Sequence, residues 1–197
     1  DPIDSPANAV QSVKITTLPS AGTLTSGGTA VNAGDFVPPT VAAGTTWTAR
    51  ESNRNWLCVA SSADGTKLVA GVNSGQIYTS TDSGVNWVAR ETVRVWQSVA
   101  SSADGTKLVA VDYYGSGSGG RIYTSTDSGA NWTARESNRN WNYVASSADG
   151  TKLVAVARYG QIYTSTDSGS SWTARESNRS WYAVASSADG SKLVAKD

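Results

Sequence analysis

The side chains that could carry out chemistry in this 197-residue chain are spread over a repeat and do not gather in one place. The four glutamates occupy the same position in a repeated "ARE" tripeptide: Glu51, Glu91, Glu136 and Glu176. Eight of the ten arginines repeat with them, as Arg50 and Arg54 do in the first unit. Paired carboxylates can hydrolyse a glycosidic bond, but different groups must then converge on one point. Because this chain barely breaks its own symmetry, we expect no enzyme.

Other reactive residue types are scarce. Histidine and methionine are absent, and Cys58 is the only cysteine, so we expect no internal disulfide, no metal site and no cofactor. Cys58 occupies a position held by Ser98, Tyr143 and Ala183 in the other repeats. That exchange favours a small packing residue over a reactive thiol.

The charge balance argues against two classes of partner. Lys plus Arg and Asp plus Glu both number 16, and the charges are scattered. A neutral chain gains little from counterion release, so we expect neither nucleic acid nor an anionic membrane as partner. No apolar stretch approaches the ~20 residues of a spanning helix, so we expect no membrane insertion. The start at Asp1 predicts a processed or trimmed chain, and the Ser, Thr and Asn content favours an extracellular or cell-surface location.

The elements that position these side chains are internal repeats. Eight tryptophans fall in pairs, and successive pairs are 40, 45 and 40 residues apart: Trp47/Trp56, Trp87/Trp96, Trp132/Trp141 and Trp172/Trp181. Residues 47–86 and 132–171 are identical at 32 of 40 positions. Such a period is typical of solenoids and propellers.

Each repeat predicts four short strands. "WxxVASS" is the first strand, "KLVA" the second, "QIYTST" the third and "WTARE" the fourth. "ADG" and "DSG" supply tight turns between them, because Asp caps a turn and Gly tolerates positive φ. The pattern predicts an all-β fold, a small β-propeller of about four blades with four antiparallel strands each. The small side chains of "VASSA" favour a narrow propeller, with the first strand innermost.

A recurring word joins the third and fourth strands. "STDSGVNW", "STDSGANW" and "STDSGSSW" resemble the Asp box, or BNR repeat, of sialidases, sortilin-type receptors, photosystem assembly factors and many bacterial surface proteins. The resemblance covers about residues 45–197 and implies a structural role in the turn. The matching residues are Ser80, Asp82, Gly84, Trp87, Ser125, Asp127, Gly129, Trp132, Ser165, Asp167, Gly169 and Trp172.

The sialidase branch of this resemblance implies an arginine triad, a tyrosine nucleophile with a glutamate partner and an acidic catalyst. The repeated glutamates and arginines do not provide such an asymmetric set, which makes a sialidase-like hydrolase the least favoured function. The repeated Arg-Glu-x-x-Arg pattern could form an anion clamp. We expect instead a ladder of solvated ion pairs between blades, each contributing little.

Unique residues lie mainly in the loops between the second and third strands. These loops read "GVNSG", "VDYYGSGSGG" and "VARYG", and their aromatic and charged residues could stack on a sugar or contact a protein. Neutral drift of exposed loops explains them equally well. The candidate ligand-binding residues are Asp112, Tyr113, Tyr114, Arg121, Arg158 and Tyr159.

Counting strands exposes one gap. Residues 1–46 form an N-terminal β-strand extension, and residues 47–197 form the Asp-box propeller. Three complete blades are expected at about 56–91, 96–136 and 141–176, and a further blade has its first two strands in 181–196. If 47–51 supplies its fourth strand, only the third is absent. A strand from residues 8–40, with 10–18 as the first choice, would fill this slot in the same chain or in a neighbour.

The function expected from these patterns is a non-enzymatic extracellular structural or adhesion propeller. It would self-associate through its N-terminal segment or bind a surface glycan or protein. A glycan-binding lectin with repeated sites between blades is the alternative. A propeller fold alone does not decide among these functions.

Overall fold

The computed structural model describes residues 13–14, 25–26, 29–30, 36–37, 48–113 and 119–197. The chain divides into two compact units, 1–49 and 50–197. Every regular element of the described residues is a β-strand, and within this part of the chain no helix is long and apolar enough to cross a membrane. The predicted all-β class is confirmed.

The first unit holds two short antiparallel pairs. β1 (Val13–Lys14) pairs with β4 (Phe36–Val37), and β2 (Thr25–Ser26) pairs with β3 (Thr29–Ala30). The rest of the proposed donor segment 8–40 lies outside the described residues. Donation of a strand by this segment therefore stays a prediction.

The second unit contains thirteen strands in four antiparallel sheets. The first sheet has β5 (Trp56–Ser61), β6 (Leu68–Val72), β7 (Gly75–Ser80) and β8 (Val88–Arg94). The second has β9 (Trp96–Ser101), β10 (Leu108–Asp112), β11 (Gly120–Ser125) and β12 (Thr133–Arg139). The third has β13 (Trp141–Ser146), β14 (Leu153–Ser165) and β15 (Thr173–Ser180), and the fourth has β16 (Ala183–Ser186) and β17 (Leu193–Lys196).

The strands follow one another in order within each sheet, as the sequence pattern predicts. β14 is a single strand that covers the second and third strands of its repeat, because the residues of the "VARYG" turn remain paired with neighbouring strands. Tyr159 makes this turn possible because its φ is 59°, close to the 55° of Ser74 at the equivalent turn position of the first repeat. The antiparallel, four-stranded repeat is consistent with a β-propeller.

The predicted fourth strand at 47–51 is not found among the described residues, since 48–55 form no strand. The physical reason is the missing partner: in the other repeats a third strand pairs with this segment. Glu51 nevertheless has a φ of 58°, close to 54° at Glu91, 47° at Glu136 and 53° at Glu176. The segment therefore keeps the bulged backbone of a fourth strand without the sheet beside it.

The core lies between successive sheets. Trp96, Val99 and Leu108 of the second sheet pack on Val69 and Ile77 of the first, and the next two junctions repeat this arrangement. First strands lie next to one another along the series, β5 beside β9, β9 beside β13 and β13 beside β16. The small side chains of "VASS" permit this close approach.

Candidate functional site

The Asp boxes use their polar groups to build their own turns. In the second box, Ser125 Oγ accepts the Gly129 amide at 2.9 Å and donates to Asp127 Oδ1 at 2.8 Å. Asp127 accepts the Asn131 amide at 2.9 Å and its Nδ2 at 2.7 Å, and the Trp132 indole donates to the Gly129 carbonyl oxygen at 3.0 Å. The first and third boxes make the corresponding bonds.

These bonds hold the pKa of the box carboxyl groups at about 2. For Asp127 the largest cause is the hydrogen bond from the Asn131 amide, which stabilises the carboxylate. A carboxylate so held is a poor general acid near neutral pH. The glycine of each box has positive φ, 81°, 83° and 84°, and so does the serine before it, a position that sequence reasoning did not single out: Ser83, Ser128 and Ser168.

An arginine, a tyrosine and a tryptophan stack at the start of each complete sheet. The Trp141 and Tyr163 rings meet edge to face with centroids 5.0 Å apart, and the Arg139 guanidinium lies 4.6 Å from the Tyr163 centroid. Arg54 with Tyr78 and Arg94 with Tyr123 repeat this contact at 4.5 and 4.8 Å. Such pairs stabilise a fold by about 0.5–1 kcal/mol where they are exposed.

The Arg-Glu-x-x-Arg pattern forms only part of the expected ladder of ion pairs between blades. Arg54 pairs with Glu51 at 3.0 Å and Arg139 with Glu136 at 3.4 Å, each within one segment. The two pairs that bridge successive sheets use aspartates instead, Arg94 with Asp112 and Arg179 with Asp197. Glu91, Glu136 and Glu176 lie where the pairing of the third and fourth strands shifts register, and among the described residues no glutamate pairs with an arginine of another sheet.

Asp112, a predicted ligand-binding residue, is buried. Its side chain is 2% exposed, lies 3.2 Å from Arg94 and accepts the Arg121 amide. Burial raises the pKa of the Asp112 carboxyl, while these two donors lower it. Its hydrogen bonds tie the second sheet to the first, and its carboxylate is not presented to solvent.

The other candidates separate into two groups. Arg121 Nε donates to Asn138 Oδ1 at 3.1 Å, and the Tyr113 amide donates to the Val95 carbonyl oxygen at 2.8 Å. Tyr114 lies outside the described residues. In the described part of the chain, no hydrogen bond or ring contact joins this loop to Arg158 or Tyr159.

Arg158 and Tyr159 form an exposed aromatic cluster with Tyr182, which sequence reasoning missed. The Arg158 guanidinium lies 5.0 Å from the Tyr159 ring centroid and 5.3 Å from that of Tyr182, and it donates to the Tyr182 hydroxyl at 3.3 Å. Tyr159 is 66% exposed. Tyr182 follows Trp181 at a position whose residue differs between repeats. That difference could have marked Tyr182 as a candidate binding residue.

The fourth sheet is incomplete on its outer side. β17 pairs with β16, and among the described residues no strand pairs with its other edge. The Arg179 guanidinium lies 5.7 Å from the Trp181 ring centroid, much as Arg94 lies 5.9 Å from that of Trp96, but no third strand among the described residues places a tyrosine there. Beside it lies a groove of about 250 Å³ lined by residues that include Leu153, Thr164, Arg175 and Leu193.

Within the described ranges, no group of three or more His, Cys, Asp or Glu side chains could hold a metal ion. The repeated glutamates lie one to a repeat, each before the first strand of a different sheet. The geometry therefore offers aromatic, apolar and backbone surfaces for binding.

Solved structures that resemble this chain are β-propellers. YCF48 bound to D1 peptide is 17% identical with a TM-score of 0.53, over 65% of this chain and 43% of that one. An ancestral GH74 enzyme is 19% identical with a TM-score of 0.59, over 74% and 22%. A nidogen/laminin complex is 17% identical with a TM-score of 0.55, over 71% and 54%.

No protein-family model and no curated protein matches this chain. At these identities the likeness shows the fold alone, and the propellers it matches include both enzymes and non-enzymatic proteins. The chain spans less than half the length of YCF48 and about a fifth of the GH74 enzyme.

Proposed function

We propose that this protein is a non-enzymatic structural or adhesion β-propeller that self-associates outside the cell or at a cell surface. The observation that carries the proposal is the incomplete fourth sheet. Among the described residues no strand pairs with the outer edge of β17, and the segment 48–55 keeps the positive φ of a fourth strand at Glu51 but forms no strand. A free edge of this kind accepts an added strand.

The strand would come from residues 8–40, either of the same chain or of a neighbour. The first case gives a closed propeller of about four blades, and the second links subunits head to tail. Protein contact also suits the fold, since one similar propeller is seen bound to a peptide and another in a complex with laminin.

The absence of catalysis is supported by the use of the polar groups. The Asp-box carboxylates bond to their own turns, and Asp112 pairs with Arg94. Turnover of a fluorogenic sialoside by the purified chain would contradict this part of the proposal.

Light scattering of the full chain at micromolar concentration tests self-association, and electron microscopy shows whether the product is a filament. Strand exchange predicts species larger than one chain. The double variant Val13→Pro/Ile15→Pro should remove the species that strand exchange builds, because proline removes the amide donors a strand needs. Val41→Pro/Ala43→Pro, outside the donor segment, is the matched control. A strictly monomeric wild-type chain would eliminate exchange between subunits.

A lectin is the second candidate, favoured by the exposed cluster of Arg158, Tyr159 and Tyr182. Tyrosine rings beside a guanidinium suit stacking on a sugar ring with hydrogen bonds at its rim. A glycan array that binds the wild-type chain and loses binding with Tyr159→Ala would support it. Ser74→Ala, at the equivalent turn position of the first repeat, is the control and should keep binding. A blank array contradicts this candidate.

A further inference from the structure

The three junctions between successive repeats share one backbone bond. In each, the amide of the alanine in "SSADG" donates to the carbonyl oxygen of the same alanine in the next repeat, at 2.7 Å. The pairs are Ala63–Ala103, Ala103–Ala148 and Ala148–Ala188. Donor and acceptor therefore run in one direction along the series, from each repeat to the next.

A lysine makes the second shared contact. Lys67 Nζ donates to the Asp104 carbonyl oxygen at 3.0 Å, and Lys107 and Lys152 do the same to Asp149 and Asp189 at 3.0 and 2.8 Å. The lysine stem lies on the glycine of the next turn. An ideal β-carbon at that glycine would approach the lysine β-carbon to 2.8 Å at all three places: Gly105, Gly150 and Gly190.

A valine makes the third contact that the three junctions share. Val99, Val144 and Val184 are 7%, 2% and 5% exposed, because the preceding repeat covers each of them. On the other side of the junction, Val69, Val109 and Val154 are at most 1% exposed. Burial of apolar surface contributes about 25 cal/mol per Å², so this layer adds to the attraction between repeats.

In the second unit, the first repeat exposes the residues that form one side of this junction, and the last repeat exposes the residues that form the other side. We call Val59, Ala63, Asp64 and Gly65 the head face, and Ala188, Lys192 and Val194 the tail face. Val59 is 69% exposed and Val194 is 68% exposed. An ideal β-carbon at Gly65 has nothing within 4 Å, whereas its three counterparts each meet a lysine. Within the described residues, Lys192 Nζ and the Ala188 amide have no acceptor.

We infer that the tail face of one copy binds the head face of a second copy. The Ala188 amide would donate to the Ala63 carbonyl oxygen of that copy, and Lys192 would lie on its Gly65 and donate to its Asp64 carbonyl oxygen. Val194 would cover Val59. The contact is heterologous, so it generates a ring if its rotation closes and a filament if it does not.

The occupant is a second copy because the head face repeats surfaces that already cover tail faces inside the chain. The first and third repeats match at 32 of 40 positions from 47 and 132, and both carry "VASSADGTKLVA". Lys196 departs most from the pattern, since it stands where Val111 and Val156 are buried, whereas Ser191 only replaces a threonine. The exposed Trp56 ring of the incoming copy offers its ammonium a cation–π contact.

This inference rests on the proposed self-association and adds a second interface to it, distinct from the N-terminal strand. Two full-length variants test it, Val59→Lys on the head face and Val194→Lys on the tail face. Both valines are exposed in the single chain, so both variants should unfold at the wild-type urea midpoint when it is measured at a concentration where the wild type is monomeric. Val85→Lys, exposed on the first Asp-box turn, is the matched control.

Sedimentation velocity gives the readout. In the Val13→Pro/Ile15→Pro background, which removes strand exchange, each variant should lose every species larger than one chain, while Val85→Lys in that background still assembles. An equimolar mixture of Val59→Lys and Val194→Lys in the same background should form a complex of two chains and nothing larger, because one tail and one head remain intact. If the wild type assembles and Val59→Lys in that background assembles as well as Val85→Lys does, the inference is wrong and the proposed function stands. A wild type that stays monomeric overturns both.

Discussion

Gly150 faces the stem of Lys107 so closely that an ideal β-carbon at Gly150 would lie 2.8 Å from the lysine β-carbon. Gly65 occupies the same turn position in the first repeat with a φ of 72°, against 66° at Gly150, but has nothing within 4 Å. Both glycines therefore have a positive φ that strains any other residue, but only Gly150 is packed against a lysine.

Gly150→Ala should lower the free energy of unfolding more than Gly65→Ala. Positive φ costs either alanine about 1–2 kcal/mol, and the clash with Lys107 adds about 1–3 kcal/mol at Gly150 alone. Urea unfolding of both variants at a concentration where the chain is monomeric measures the difference. Equal losses would contradict the packing of lysine on glycine between repeats.

Arg94→Gln should destabilise the fold more than Arg179→Gln. Arg94 pairs with an aspartate that is 2% exposed and stacks on Tyr123, whereas Arg179 pairs with one that is 50% exposed. Because Arg94 is itself partly exposed, we expect a loss of about 1–3 kcal/mol, against less than about 1 kcal/mol for Arg179. Thermal and urea unfolding check this, and Arg94→Gln/Asp112→Asn should recover part of the loss. No difference between the single variants would count against the buried pair.

The stability of the fold should fall as the pH drops from about 4 to about 2. The pKa of each Asp-box carboxyl is held at about 2 in the folded chain, below its usual range. In this window the unfolded chain binds more protons, so stability rises with pH there and is complete above the unfolded pKa. Urea midpoints measured from pH 2 to pH 6 test the slope.

Asp127→Asn provides the control for that slope. The amide cannot titrate, so the variant should be less stable than the wild type near neutral pH and less sensitive to acid. An unchanged midpoint between pH 4 and pH 2 in the wild type would contradict the hydrogen-bonded state of these carboxylates.

Cys58 should react slowly with a thiol reagent at pH 8. Burial raises its pKa to about 12, and its Sγ donates to the Trp96 carbonyl oxygen at 3.4 Å. Relative to an ordinary thiol of pKa near 9, the thiolate is about 10³-fold scarcer. Labelling with a chromogenic disulfide should be complete at once in about 8 M urea, where the chain is unfolded, and this measurement serves as the control. Equally fast labelling of the folded chain would contradict the burial.

The strands could be predicted from the sequence because the period was visible in the tryptophans and in the "ADG" and "DSG" turns. Trp56, Trp96 and Trp141 each begin a first strand, and the fourth strands extend past the predicted ends, to Arg94, Arg139 and Ser180. Residues 48–51 departed from the pattern because a strand needs a neighbour, and the neighbouring third strand is the one that the strand count leaves absent.

The candidate ligand cluster was less predictable. Asp112 and Arg158 look alike in sequence as charged residues of variable loops. Asp112 is nevertheless buried against Arg94, a partner 18 residues away, while Arg158 reaches Tyr182 across a junction. Which loop residues are buried depends on the neighbouring repeat, and a period read along one chain does not contain that information.

The shared alanine, lysine and glycine junction also bears on how such a chain changes length during evolution. Unequal recombination between two 40-residue units would insert or remove a whole repeat without creating a new kind of interface. Every product would keep compatible surfaces on both sides of the altered unit, so most such events would fold. Selection on these genes can therefore act on the number of repeats before it acts on any single residue.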